Sequence, residues 1–251
     1  IMTIPNKFPS AVTKNKNLKI GFDPKLHTDQ MLHMLFKSSN CKLIPVKYNL
    51  VNKIIKFKKR PTNKKFFFLK DKDSGKSHIN KINTITKIIK KNKADMQFVT
   101  APENIAWLLN LRGGDSNYSP LPNGYLIVEK NKVILFCELN KIKKKFRKIK
   151  NLKILSINNI EIFINKLKNK KILIDSRTCS IHFKNIAQKN NKIIMLEDPI
   201  YFLKSIKNKI EIKNTIKTHI FDGVALTKFL FWLKNNFKNK KITEISAQEK
   251  L

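Results

Sequence analysis

Residues 100–125 read Thr-Ala-Pro-Glu-Asn-Ile-Ala-Trp-Leu-Leu-Asn-Leu-Arg-Gly-Gly-Asp-Ser-Asn-Tyr-Ser-Pro-Leu-Pro-Asn-Gly-Tyr, and more can be inferred from them than from any other stretch. They follow a short, mostly apolar run and lead into a second one, and such runs are typical of buried strands. Thr100 followed by Glu103 is the pattern of a helix capping box, and Pro102 suits the first helical turn. The stretch therefore predicts a strand, a short helix, a long loop and a returning strand.

The loop after this predicted helix has an unusual composition. Arg112 is one of four arginines among 53 basic residues, so its planar guanidinium is expected to make contacts that lysine cannot make. Gly113 and Gly114 permit close backbone approach, and the Asp115 carboxylate can accept hydrogen bonds from nearby N–H groups. Arg112 and Asp115 are therefore candidate substrate-binding residues at the rim of a site. A braced structural turn is the preferred interpretation.

Residues 79–204 alternate between helix-like and strand-like segments. Such alternation predicts an α/β fold in which a mixed β-sheet is covered by helices. Asp175, Glu197 and Asp198 fall at the ends of predicted strands, where carboxylates can bind metal or act as acid and base. Helix capping and turn formation are the preferred interpretation of these three residues.

The segment before this region differs in character. Residues 1–62 predict the strands and helices of a partial α/β domain, and residues 63–78 read as a polar linker. A Gly-Lys-Ser tripeptide at 75–77 imitates the end of a phosphate-binding loop. Lys70 stands where that motif requires its first glycine, so no nucleotide site is predicted.

Apolar residues recur at helical spacing from Pro199 onward, which predicts one long amphipathic helix. Gly223 lies inside it, and glycine in a helix costs about 1 kcal/mol relative to alanine. Close packing against a neighbouring element is therefore expected at Gly223. Ser246 with Glu249 predicts a capping box at the start of a further helix.

The formal net charge of +36 raises the question of nucleic-acid binding. The lysines are spread along the whole chain, usually beside Asn and Ile, and few arginines or aromatic residues alternate with them as base recognition favours. This distribution predicts solvated surface charge and no specific nucleic-acid partner.

Two further features bear on the cellular location. No run approaches 18 apolar residues, which predicts a cytoplasmic protein with no membrane partner. Cys41, Cys137 and Cys179 are odd in number and lie in apolar segments, which predicts reduced, buried thiols.

Three separate motifs resemble one known family. Residues 105–115, Ile-Ala-Trp-Leu-Leu-Asn-Leu-Arg-Gly-Gly-Asp, followed by Ser-Pro-Leu-Pro and an apolar strand, resemble the signature of the second domain of the Xaa-Pro aminopeptidases (aminopeptidase P). These are metallopeptidases of the creatinase, or pita-bread, type. Residues 19–28, Lys-Ile-Gly-Phe-Asp-Pro-Lys-Leu-His-Thr, resemble the closing half of the family's first domain. Residues 211–233 and 243–251 resemble the opening of its catalytic domain.

The resemblance covers nearly the whole chain and implies three parts. Residues 1–62 are expected to be the C-terminal half of a first creatinase-like N-terminal domain, and residues 63–204 a complete second one. Residues 205–251 are expected to be the opening helices of a pita-bread catalytic domain. The chain is thus expected to be a fragment that ends before the catalytic residues.

The same resemblance implies a function for the parent protein. It is expected to be a hydrolase that removes the N-terminal residue preceding proline from peptides, using two divalent metal ions, Mn or Zn. The family's metal ligands lie beyond Leu251, so no catalytic or metal-binding residue is assigned and this fragment alone is expected to be inactive. A homodimer is the expected assembly. The alternatives are prolidase or creatinase activity, a non-catalytic binding or scaffold member of the pita-bread family, and a basic nucleic-acid-binding protein.

Overall fold

The computed structural model describes residues 18–37, 39–55, 64–130, 132–143, 146, 149, 151–238 and 241–251. These residues divide into two compact units. The first contains the described residues of Ile1–Leu69 together with Ser77–Ser205, and the second contains Lys70–Lys76 and Ile206–Leu251. The division into residues 1–62, 63–204 and 205–251 stays a prediction.

Ten strands occur in the described residues, all in the first unit: β1 (Lys19–Phe22), β2 (Lys42–Pro45), β3 (Phe67–Phe68), β4 (Met96–Val99), β5 (Leu111–Arg112), β6 (Tyr125–Glu129), β7 (Lys132–Cys137), β8 (Leu152–Ser156), β9 (Lys171–Ile174) and β10 (Lys192–Met195). The helices of this unit are α1 (Asp29–Phe36), α2 (Leu50–Ile54), α4 (His78–Lys91), α5 (Pro102–Leu108), α6 (Ile160–Lys166), α7 (Ile181–Gln188) and α8 (Pro199–Ser205). Those of the second unit are α3 (Asp71–Ser74), α9 (Lys209–Asn236) and α10 (Glu244–Lys250).

A six-stranded mixed sheet forms the centre of the first unit, in the order β10-β9-β4-β6-β7-β8. β10, β9 and β4 are parallel, β4, β6 and β7 are antiparallel, and β8 is parallel to β7. Every residue of β4 is buried, as expected for a central strand covered on both faces. The predicted α/β fold with a mixed sheet is confirmed.

The sheet separates two apolar cores because successive side chains of a strand point to opposite faces. On one face, Val99 and Leu126 pack with residues of α4, α5 and α8, among them Ile85. On the other, Phe98 and Ile127 pack with α6 and α7. Helices therefore cover both faces of the sheet.

The N-terminal part of the first unit is a parallel pair, β1 and β2, with α1 and α2. It is joined to the start of α7, where the N–H of Ile181 donates to the carbonyl of His27 and the N–H of His182 donates to that of Pro24, both at 2.9 Å. The His182 imidazole Nε2 lies 2.8 Å from a carboxylate oxygen of Glu161. Part of the first unit is thus a small α/β element, as predicted.

The helices after Asp198 correct the prediction of one helix from Pro199 onward. The chain forms two helices, α8 and α9, because Asn208 and Glu211 make a capping box at the start of α9, which ends one helical segment and begins the next. Among the described residues, apart from the backbone of α9 itself, no heavy atom lies within 4 Å of a Cβ added to Gly223 in α9, so these residues do not provide the close packing that was predicted.

Three smaller expectations are also corrected. Ala101, and not Thr100, is the N-cap of α5, and the Thr100 hydroxyl hydrogen-bonds with that of Thr178. Thr243 caps α10, with Ser246 as its capping-box partner. The predicted linker contains a fully buried Phe66 and the strand β3.

Candidate functional site

The loop that follows α5 begins with a sharp change of direction. Asn110 has a positive φ of 52°, a conformation that asparagine tolerates better than most residues. β5 then pairs antiparallel with β3, so that Leu111 lies opposite Phe68 and Arg112 opposite Phe67. The position of the loop was predicted correctly from the sequence. The pairing of β5 with β3 was not predicted, because a strand of two residues has no recognisable pattern.

Arg112 holds the turn to the helix that precedes it. Its guanidinium Nη1 donates to the carbonyl oxygens of Ala106 at 3.0 Å and Leu111 at 2.9 Å. A cation near a helix C-terminus also interacts favourably with the helix dipole. The described contacts of Arg112 are therefore those of a brace.

Asp115 is held in the same way from the other side of the loop. Its side chain is 2% exposed, and one carboxylate oxygen lies 2.5 Å from Lys141 Nζ, while the other accepts the N–H of Asn123 at 2.7 Å. Burial lowers the pKa of Lys141, but its hydrogen bonds to Asp115 and to Glu138 outweigh burial and raise that pKa above its usual value. Asp115 and Lys141 thus form a largely buried ion pair.

The two glycines of the loop allow a close backbone approach. A Cβ on Gly113 would lie 2.8 Å from both the carbonyl oxygen of Leu121 and the Cα of Pro122, and one on Gly114 would lie 2.6 Å from Lys64 Cδ. Tyr118, at the tip of the loop, is 92% exposed. These contacts support the interpretation of Arg112 and Asp115 as braces, and their place at the rim of a substrate site stays a prediction.

A second polar cluster lies at the carboxyl ends of β9 and β10. The Asp198 carboxylate accepts hydrogen bonds from Gln97 Nε2, Asn104 Nδ2 and the N–H of Ile200, at 2.8, 2.8 and 2.9 Å. The Asp175 carboxylate accepts the N–H of Asp198 at 2.9 Å. Burial raises the pKa of Asp198, against the opposing effect of the hydrogen bonds that it accepts. The Asp175 carboxylate also accepts the N–H of Arg177 at 2.8 Å, so turn formation at Asp175 and capping at Asp198 are confirmed. Glu197 instead forms an ion pair with Arg177 at 2.7 Å.

Gln97 and Asn104 were not predicted as members of this cluster. Gln97 is the one polar residue of β4 and is only 3% exposed. A buried amide requires a partner, so a polar residue inside an apolar strand was the available signal. The sequence gives no comparable indication that Asn104 is buried, because an asparagine is also common on the exposed face of a helix such as α5.

Lys81 is a buried cation that the sequence analysis did not identify. Its Nζ donates to the carbonyl of Trp107 at 2.9 Å and to Asn110 Oδ1 at 2.7 Å, and the side chain is almost fully buried. It lies one helical turn before Ile85 on the apolar face of α4, and this spacing was the available signal. Lys81 thus fixes the point where α5 turns into the loop.

Comparison with known proteins shows which family has this arrangement of sheet and loops. Residues 58–211 match the model of the creatinase/prolidase N-terminal domain. The chain belongs to this family. Its six-stranded sheet, the braced 112–115 loop and the Asp198 cluster all lie within the matched residues.

Relatives of this creatinase/prolidase chain extend the match beyond one domain. It is 33% identical over 245 residues to a Xaa-Pro aminopeptidase of Drosophila melanogaster and 35% identical over 258 residues to Xaa-Pro aminopeptidase 1 of Dictyostelium discoideum. These alignments cover 92% and 94% of the chain but 40% of each relative. The chain therefore spans well under half the length of these relatives.

A solved structure confirms the fold of the creatinase/prolidase chain. The X-prolyl aminopeptidase of Caenorhabditis elegans, described as a cytosolic enzyme with a di-nuclear active site, superposes with a TM-score of 0.79 at 24% identity. The match covers 99% of this chain and 42% of that structure.

A metal centre requires several donor side chains placed close together. Within the part of the chain that the structure describes, no three His, Cys, Asp or Glu side chains lie together as metal ligands. These residues therefore do not fit a dinuclear centre. Across the same residues, no helix is both long and apolar enough to span a membrane. The three cysteines are free thiols, with Cys41 partly exposed and the other two buried.

Proposed function

We propose that the whole protein is a metal-dependent Xaa-Pro aminopeptidase, a hydrolase that releases the N-terminal residue of peptides whose second residue is proline. The observation that carries the proposal is the 33% and 35% identity to Xaa-Pro aminopeptidases over more than nine-tenths of this chain. The likeness to the C. elegans fold supports it.

Residues 1–251 act in this proposal as scaffold. They offer no donor set among the described side chains, so the two divalent ions of the whole protein, Mn or Zn, are held by other residues and this part alone is inactive. The 112–115 loop lies at the rim of the substrate site, and Arg112 and Asp115 keep its shape without contacting the reacting atoms. The whole protein is a cytoplasmic homodimer with no specific nucleic-acid partner.

The test compares the whole protein with residues 1–251 prepared alone. Release of arginine is measured from the tripeptide Arg-Pro-Pro, from the dipeptide Arg-Pro and from the matched control Arg-Ala-Ala, before and after chelation and after adding back Mn²⁺ or Zn²⁺. The expected result is metal-dependent cleavage of Arg-Pro-Pro by the whole protein, at least a hundredfold faster than Arg-Ala-Ala. Residues 1–251 are expected to cleave none of these peptides.

Each other outcome has a definite meaning. Cleavage restricted to the dipeptide Arg-Pro would assign prolidase activity, and no cleavage of any proline peptide with either metal would favour a non-catalytic member. Activity of residues 1–251 alone would contradict the scaffold role. Sedimentation equilibrium of the whole protein tests the dimer.

The rim position has its own test in the whole protein. Arg112→Lys keeps the charge but loses the planar fork, so it should lower the unfolding midpoint and raise KM for Arg-Pro-Pro while leaving that for a dipeptide substrate unchanged. Loss of stability without any change in KM would leave only the bracing role.

A further inference from the structure

A basic groove lies at the edge of the sheet where the two outer parallel strands begin. It has a volume of about 680 Å³ and is lined by the residues that lead from α6 into β9 and from α7 into β10. Four of its nine lining residues carry side-chain amides, none is acidic, and the remaining five are lysines: Lys168, Lys170, Lys171, Lys189 and Lys192. We call this cavity the lysine groove.

In the part of the chain that the structure describes, the lysines of the groove form no ion pairs with carboxylates. The Asp95 carboxylate accepts the backbone N–H of Lys171 at 2.8 Å, so one negative charge lies beside the groove and offsets part of the charge of its five lysines. Like charges around one cavity repel one another, and a bound multivalent anion reverses that repulsion.

Hydrogen bonds between the two loops give the groove a fixed shape. The N–H of Asn169 donates to the carbonyl of Asn190, and the N–H of Lys192 donates to that of Lys170, both at 2.8 Å. The Asn191 side chain accepts the N–H of Lys170 at 3.1 Å and donates, at 3.0 Å each, to a carbonyl near the end of each preceding helix. Those carbonyls are therefore occupied, which weakens their repulsion of an anion, and the backbone of the two loops does not have to be ordered when a ligand binds.

The kinds of side chain present determine which ligand fits. Lysine binds phosphate oxygens as a point charge with three donors, and side-chain amides add further N–H donors. The lining includes no aromatic residue on which a base would stack. We propose that the lysine groove is a binding site for small polyphosphate anions, recognised by their charge and oxygens. Free polyphosphate and the phosphate chain of a nucleotide share this chemistry.

The affinity of the 251-residue chain for inorganic tripolyphosphate is measured by titration calorimetry in metal-free buffer, at low and at moderate salt. The groove variant carries three substitutions: Lys168→Gln, Lys189→Gln and Lys192→Gln. A control variant removes the same charge from exposed positions of α9: Lys213→Gln, Lys228→Gln and Lys234→Gln. Both variants must keep the far-ultraviolet circular dichroism spectrum of the unmodified chain.

The groove variant is expected to lose at least tenfold in affinity and the control variant less than twofold. ATP is expected to compete with tripolyphosphate, whereas adenosine does not. Equal losses in the two variants would assign binding to charge spread over the surface, and either that result or no binding by the unmodified chain overturns the proposal. If adenosine, which has no phosphate, displaces tripolyphosphate, the proposal is overturned as well. All these outcomes are independent of the peptidase assay.

Discussion

Replacing Asp115 with alanine is the most informative test of the braced loop. The substitution leaves Lys141, whose side chain is 10% exposed, without its buried partner and leaves the Asn123 N–H without its acceptor. Breaking a buried ion pair costs about 3–5 kcal/mol. Lys141 keeps its contact with Glu138, at 3.1 Å, so we expect the lower end, about 3 kcal/mol. For a unit of this size that corresponds to about 6–12 °C in Tm.

The assay must report on the first unit alone. The chain has two tryptophans, Trp107 in the first unit and Trp232 in the second, so a Trp232→Phe background leaves one fluorescent reporter. Urea unfolding is then compared for Asp115→Ala and for Glu138→Ala. Glu138 is the same lysine's second partner but is 52% exposed, and exposed pairs contribute about 1 kcal/mol or less. The control therefore removes a carboxylate without removing the buried pair.

The double variant Asp115→Ala with Lys141→Met separates the pair from its surroundings. Because it buries no uncompensated charge, it is expected to be more stable than Asp115→Ala alone. If Asp115→Ala costs no more than Glu138→Ala, or if the double variant is the less stable of the two, the buried pair does not hold the loop.

Gly113→Ala and Gly223→Ala are one chemical change with opposite expected effects. Gly113→Ala should lower the free energy of unfolding by about 2 kcal/mol because the added Cβ would lie 2.8 Å from backbone atoms. Gly223→Ala should raise it by about 0.5–1 kcal/mol because the added Cβ meets no such atom among the described residues outside its own helix. Urea titration of each unit checks both values. Burial raises the pKa of the Cys179 thiol to about 12, so Ellman's reagent at pH 8 should modify it only after unfolding. The hydrogen bond with its histidine partner lowers the pKa of Glu161 in the folded chain, so the stability it contributes is present above its unfolded pKa and is lost as pH falls through the lower folded value. Glu161→Gln should therefore destabilise the chain at pH 7, and this effect should disappear as the pH falls through the lowered folded pKa of Glu161, as measured by thermal unfolding at a series of pH values.

The sheet and its helices could be predicted because apolar residues follow the period of each element. The strand Met96–Val99, the loop at Arg112 and the mixed sheet were all inferred from such local patterns and are confirmed. The split between α8 and α9 was missed although Asn208 and Glu211 have the spacing of a capping box, because the apolar periodicity continues across the break. Local capping chemistry decided that boundary.

The polar contacts of the candidate site were harder to infer because they join residues far apart in sequence. Asp115 was singled out, but nothing near it in sequence indicates that Lys141 is its partner. The same holds for Gln97, which lies in β4 and donates to Asp198, in the segment between β10 and α8. Such pairs form only when the folded chain brings distant residues together, and no local sequence pattern predicts them.

The order of the strands has a consequence for synthesis on the ribosome. The central strand β4 pairs with β9 on one side and with β6 on the other, so one of its edges has no partner until the chain has been translated past Ile174. The β6–β7 hairpin can close much earlier because its strands are adjacent in sequence. A nascent chain that pauses between these two points presents an apolar, half-paired strand edge, which is the species that chaperones would need to shield.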